Sequence, residues 1–125
     1  MIYGVGTDLV TISRMADFFQ RHGERALEKL LAPIERQACR DSAQPERYLA
    51  KRFAAKEALG KALGTGVRAP AVLPAIAVVH SEAGQPMFEY SQALAAHMDR
   101  LGLRAHLSIS DETDTALAFV VLEKT

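Results

Sequence analysis

Only one cysteine, Cys39, occurs in the 125 residues, so no internal disulfide can staple the fold. Its setting, Arg36-Gln37-Ala38-Cys39-Arg40-Asp41, offers no histidine to activate it, and a small helical filler is the expectation. Charge of one sign is missing as well. Fifteen basic and fifteen acidic side chains cancel, which excludes a global field for nucleic acid or an anionic membrane and leaves only local patches to recognise charged partners. No apolar run approaches the roughly 20 residues that cross a bilayer, and no charged-then-apolar leader opens the sequence, so a cytoplasmic location is expected. No two of the four histidines have the close spacing of a zinc site. Repeats, low-complexity segments and linkers are absent too. A single domain, residues 1–125, with a modest core is therefore expected.

What remains is the composition of a folded soluble chain, 49% apolar and 24% charged. β-branched residues and alternation over "IYGVGTDLVT" predict a strand at residues 2–11, with Ile2, Gly4, Gly6, Asp8 and Val10 on one face. "SRMADFFQRHG" predicts a helix with Ser13 as N-cap and Gly23 as its stop. A short helix over "ERALEKLLA" precedes Pro33, which opens a further helix at its first position, and Pro45 opens a long one through Leu63. Two strands joined by a turn at Gly84-Gln85-Pro86 follow, then a helix from Ser91 to Gly102. A hairpin, "RAHLSIS" and "TALAFVVLE", closes the chain. The order β, helices, then ββαββ predicts an α+β fold, a largely antiparallel sheet with the long helix packed on it.

The long helix carries the chemistry. Residues advance about 100° each, so Leu49, Phe53, Gly60 and Leu63 form a core stripe, with Leu59 at its edge. Ala50, Ala54, Glu57 and Lys61 form the adjoining face. Alone, Glu57 and Lys61 match an ordinary exposed ion pair worth about 0.2–0.5 kcal/mol, with Gly64 and Gly66 merely ending the helix. Lys56 projects near the core stripe, where its stem can pack while its head reaches out. Gly60 costs about 1 kcal/mol in mid-helix and marks a close approach. Asp8, following two glycines on its strand face, is either a turn cap or a ligand with open access. Two separated carboxylates such as Asp8 and Glu57 suit one Mg²⁺ that keeps positions for water and substrate phosphates.

These motifs have a counterpart. Gly6-Thr7-Asp8, then Phe53-Ala54-Ala55-Lys56-Glu57 with Lys61, then "HLSISDETDTALAFVV" with His106 and Ser108 resemble the motifs of the holo-[acyl-carrier-protein] synthase family, the small type of 4′-phosphopantetheinyl transferase. Three motifs in order, over residues 2 to about 123, make the resemblance specific. It implies transfer of the phosphopantetheine arm of coenzyme A to a serine of an acyl carrier protein. By the same resemblance Asp8 and Glu57 are the Mg²⁺ ligands, Glu57 and Lys61 the catalytic groups, and Lys61, His106 and Gly64 contacts of coenzyme A. For His106 a structural role in its strand stays equally open. The family has histidine in many members where this chain has Asp111, and no catalytic role is placed there. The family is trimeric, with sites between subunits.

Arg14 and Arg21, seven residues apart, share a side of the first helix, while Met15, Phe18 and Phe19 point inward; Arg25 joins them if the helix continues past Gly23. The strip is either a solvated basic edge or a docking surface for an acidic carrier-protein helix. His22, His80 and His97 are read as surface or packing residues. Two readings compete with the transferase: a non-catalytic module binding coenzyme A or a carrier protein, and a plain structural oligomer. Asp8, Glu57 and Lys61 present together argue against the first, because binding alone needs no metal pair.

Overall fold

The structure, a computed structural model, describes residues 1–125. Strand β1 (Ile2–Thr11) runs directly into helix α1 (Ile12–His22), followed by α2 (Glu24–Leu30), α3 (Pro33–Asp41) and the 19-residue α4 (Pro45–Leu63). A 3₁₀ turn at Leu73–Ala75 leads to β2 (Ile76–His80) and β3 (Pro86–Tyr90), then α5 (Gln92–Leu101), β4 (Leu103–Asp111) and β5 (Thr115–Lys124). The two prolines stand at the first helical positions expected of them, where a missing N–H costs nothing.

The fold is α+β with antiparallel pairing throughout, but the strands form two sheets. β1, β5 and β4 pair in that order, and β2 pairs only with β3. β3 and β4 run close together without a ladder and leave a groove of about 530 Å³ between them.

Register separates the faces of the larger sheet. Gly6, Val120 and Leu107 share one row, Asp8, Ala118 and Ile109 the next, and these rows face α4. Their members on β5, Ala118 and Val120, are fully buried. The rows Val5–Val121–His106, Thr7–Phe119–Ser108 and Leu9–Leu117–Ser110 lie on the other face. That face is apolar yet open: Val5 is 56% exposed and Leu9 66%.

One expectation for α1 needs correction. Ser13 is not the N-cap of α1. The helix starts one residue earlier, and Asp114, in the turn between β4 and β5, accepts from the Ser13 N–H (3.1 Å), while the Asp114 carbonyl accepts from the Ile12 N–H (2.9 Å). A group 101 residues away thus satisfies orphan donors that a local cap would otherwise serve. Gly23 (φ 55°) ends α1 as expected, so the continuation that would add Arg25 to Arg14 and Arg21 does not occur.

The larger correction concerns Lys56, whose head does not reach solvent. It is 0% exposed and its Nζ donates to Glu35 Oε1 (2.5 Å), the Leu30 carbonyl (2.8 Å) and the Leu73 carbonyl (3.2 Å). Glu35, itself 2% exposed, also accepts from the Ala32 and Val78 N–H groups, both at 2.9 Å. Burial pushes the Lys56 ammonium down to about 8, and the Glu35 charge opposes that fall. Each of its three N–H bonds has an acceptor. Lys56→Ala should therefore cost about 3–5 kcal/mol, measured by urea unfolding at pH 7, because it strands the Glu35 carboxylate among fewer partners and takes a donor from the Leu30 and Leu73 carbonyls.

Candidate functional site

The site begins with a contact that side chains would forbid. A Cβ on Gly6 would fall inside the Ala58 carbonyl oxygen and 2.7 Å from the Ala62 nitrogen, and one on Gly4 would fall inside the Ala62 carbonyl oxygen. β1 therefore lies directly on the backbone of α4. Small residues on that helix permit the packing: Ala50, Ala54, Ala58 and Ala62 are all buried. Between Ala54 and Leu63 only Glu57 and Lys61 escape burial.

Two residues past Gly6 on the same face stands Asp8, which this packing brings beside those two side chains. The Lys61 ammonium donates to the Thr7 carbonyl (2.8 Å) and to Asp8 Oδ1 (3.2 Å). Glu57 has no ion pair within reach. Its pKa is raised, first by burial and then by the Asp8 charge, with Lys61 pulling the other way. The Asp8 charge thus acts against ionisation of Glu57, and the one lysine beside them pairs with Asp8.

The helix end is built for close approach as well. Gly64 ends α4 with φ 83°, and the chain folds back so that the Gly66 N–H donates to the Gly60 carbonyl (3.0 Å). A Cβ on Gly60 would sit 2.7 Å from the Gly66 carbonyl carbon. The mid-helix glycine thus makes room for its own chain. Lys61 and Gly64 accordingly share one end of the helix beside Asp8.

The carboxylates fit a hard divalent cation. No three metal-ligating side chains gather anywhere in the chain, so an all-protein cage is absent. One or two carboxylates with the remaining positions open to water and phosphate oxygens is the usual arrangement for Mg²⁺.

His106 is not brought to this cluster. It shares a row with Val5 on the opposite face of the sheet from Asp8, pairs with Glu123 (Nε2–Oε1 2.9 Å) and lines the groove between β3 and β4 with Arg104 and Pro86.

Arg14 and Arg21 do come together. With Lys29 they rim a second groove of about 250 Å³ whose apolar lining is Met15, Phe18, Leu30, Phe53 and Leu73. Met15 is buried, but Phe18 and Phe53 are only partly so, because they face the groove rather than the core. Phe53 lies one helical turn before Glu57 on α4. Lys29 was not anticipated, since nothing in its local sequence marks it, and Glu35 was passed over because a buried acid is only sought once its lysine is known to be buried. Arg47 and Lys51 also reach from α4 to Asp111, at 2.7 and 3.8 Å, which gives residue 111 a structural tie.

The profile of the 4′-phosphopantetheinyl transferase superfamily matches residues 4–120. The chain is 54% identical to the holo-[acyl-carrier-protein] synthase of Azoarcus sp. (strain BH72) over 123 residues, 98% of each chain. Its structure is similar to the crystal structure of holo-[acyl-carrier-protein] synthase from Neisseria meningitidis, with a TM-score of 0.96 and 44% identity over 99% of this chain and 100% of that one. The Bacillus anthracis synthase, solved in complex with CoA (3′,5′-ADP), aligns with a TM-score of 0.83 and 31% identity over 100% and 99% of the two chains.

The strain at Glu57 is measurable. In metal-free buffer at pH 7, Glu57→Gln should melt about 1–3 °C above the wild type, the scale of a few tenths of a kcal/mol in a domain of this size. A carboxyl with a raised folded pKa contributes stability below its unfolded value and loses it as pH rises through the folded value. The gap should therefore close as pH falls toward the ordinary glutamate value of about 4.3.

Proposed function

The chain belongs to the 4′-phosphopantetheinyl transferase superfamily, as a holo-[acyl-carrier-protein] synthase, and we propose that Asp8, Glu57 and Lys61 are the centre at which it moves phosphopantetheine from coenzyme A to a carrier serine. The single observation that carries the proposal is the glycine packing of β1 on α4, which sets Asp8 beside Lys61 and next to Glu57. A binding module has no need of such a pair.

In this reading the serine oxygen bonds to the phosphorus next to pantetheine, and the bond from that phosphorus to the bridging oxygen breaks, releasing adenosine 3′,5′-bisphosphate. Asp8 and Glu57 would hold Mg²⁺, which when bound neutralises charge on the pyrophosphate oxygens. Glu57 accepts the serine proton, and its raised pKa makes it a stronger base than a free carboxylate. Lys61, already exposed and shared between Asp8 and the Thr7 carbonyl, turns to the coenzyme phosphates and stabilises the developing charge. Gly64, with no side chain at the helix end, lets the coenzyme approach the backbone there.

His106 fits this scheme as a coenzyme contact in a homotrimer. It cannot serve Asp8 of its own chain through the intervening sheet, but it can serve a neighbour's. The open apolar face of that sheet, with Tyr3, Val5, Leu9, Leu117 and Phe119 all more than 40% exposed, supports burial against further copies. Arg14 and Arg21 then dock the acidic carrier protein, its apolar contacts seated in the groove over Phe53. A cytoplasmic setting, where coenzyme A and carrier protein meet, is part of the same proposal; no helix is long and apolar enough to cross a membrane.

Intact mass spectrometry of the carrier tests the proposal. Apo-carrier protein, coenzyme A and Mg²⁺ with the wild type should give a phosphopantetheine-sized mass gain, abolished by EDTA and reduced at least 100-fold by Glu57→Ala. An undiminished gain with Glu57→Ala would remove this centre from the chemistry.

A further inference from the structure

We propose that the buried Lys56–Glu35 pair is a positioning device for carrier-protein binding, clamping the two walls of the groove rimmed by Arg14, Arg21 and Lys29. The inference rests on the reading of that groove as the carrier-docking surface.

Two of the three acceptors of the Lys56 ammonium are backbone carbonyls of groove-lining residues. Leu30 is the last residue of α2 and Leu73 the first of the 3₁₀ turn, and both line the groove beside Phe53. Neither segment belongs to a sheet. Leu30 offers a terminal helix carbonyl that has no partner within its own helix. Forty-three residues separate the two walls in sequence, and the ammonium is the group that both share.

The clamp has a fixed base. Glu35 holds the third N–H of Lys56 while its carboxylate oxygens accept from Ala32, at the start of α3, and from Val78 in β2. Leu30 and Leu73 are therefore tied to α4, α3 and the smaller sheet at one point. An ammonium suits the task because its three donors leave in three directions. A hydrocarbon would fill the same volume without the desolvation cost of a buried charge, but it would leave both walls unattached.

Lys56 bonds to neither Asp8 nor Glu57 and does not line the groove. It acts through the backbone of Leu30 and Leu73 and is a positioning residue. Loosening those walls should weaken the fit of the carrier and leave coenzyme A and the chemical step alone, since Glu57 leaves α4 on a different side and draws its geometry from β1.

The test is steady-state kinetics of phosphopantetheine transfer, at least 15 °C below each variant's melting temperature. Lys56→Met should raise the KM for apo-carrier protein about 5-fold or more, with kcat and the KM for coenzyme A within 2-fold of wild type. Lys56→Met/Glu35→Gln, which removes both charges of the pair and leaves the Arg52 guanidinium facing a neutral amide, should show the same split. Equal changes in both KM values, a fall in kcat alone, or unchanged kinetics with only a lower melting temperature would overturn the proposal. Arg14→Glu/Arg21→Glu is run alongside. If that variant keeps the wild-type carrier KM, the groove is not the docking surface; if it loses carrier affinity and the Lys56 variants do not, the clamp alone fails. Hydrogen exchange on the wild type serves if the variants do not fold. Adding apo-carrier protein should slow exchange around residues 27–31 and 72–75, and no change at either segment would overturn the proposal.

Discussion

Everything in the candidate centre depends on how closely β1 lies on α4. Strands and helices normally pack through side chains, which keep their backbones well apart. Here Gly4 and Gly6 supply none, and Ala58 and Ala62 supply a methyl each, so the strand rests on helix carbonyls. The consequence appears two residues later, where Asp8 emerges beside Glu57 and Lys61 without having to reach. Carboxylates on facing elements at ordinary separation would each be hydrated and unremarkable. Here burial first and the Asp8 charge second raise the pKa of Glu57 and create a demand for a cation that Lys61 meets only in part.

Adjacent residues of α4 are assigned opposite tasks by the same geometry. Lys56 turns inward to a carboxylate and two carbonyls, and Glu57 turns toward Asp8 and solvent. The inward charge is fully satisfied and fixes the helix among α2, α3 and β2. The outward charge is left in want of a partner. Stability and reactivity are thus separated by one residue along the chain, a division consistent with strained or underpaired groups being confined to functional sites.

The elements were legible in the sequence because their signals are local: alternation in β1, Pro33 and Pro45 at helix starts, glycines at helix ends. Failures came where a distant group overrode a local rule. Asp114 replaced Ser13 as the cap of α1, and Glu35 drew the Lys56 head into the core against its tendency to reach water. A helical wheel grouped Ala50 and Ala54 with Glu57 and Lys61, but it reports what a face carries and not what lies against it. Gly60 signalled a close approach, but the partner, the chain's own Gly66–Val67, was invisible to periodicity. Asp8, Glu57 and Lys61 were named together from their motifs, while the placement of His106 behind the sheet followed only from the strand register.

That placement puts His106 and Asp8 on opposite faces of the larger sheet, and the face that carries His106 is apolar and exposed at Val5, Leu9, Leu117 and Phe119. The central claim remains the glycine contact itself, and it is tested most directly by calorimetric titration of Mg²⁺, with coenzyme A present, into wild type and Gly6→Ala. The added methyl must push β1 off the Ala58 carbonyl and separate Asp8 from Glu57. The account requires Mg²⁺ affinity to fall at least 10-fold in a variant that still folds. Unchanged affinity in folded Gly6→Ala would show that the carboxylates do not depend on that contact, and would contradict it.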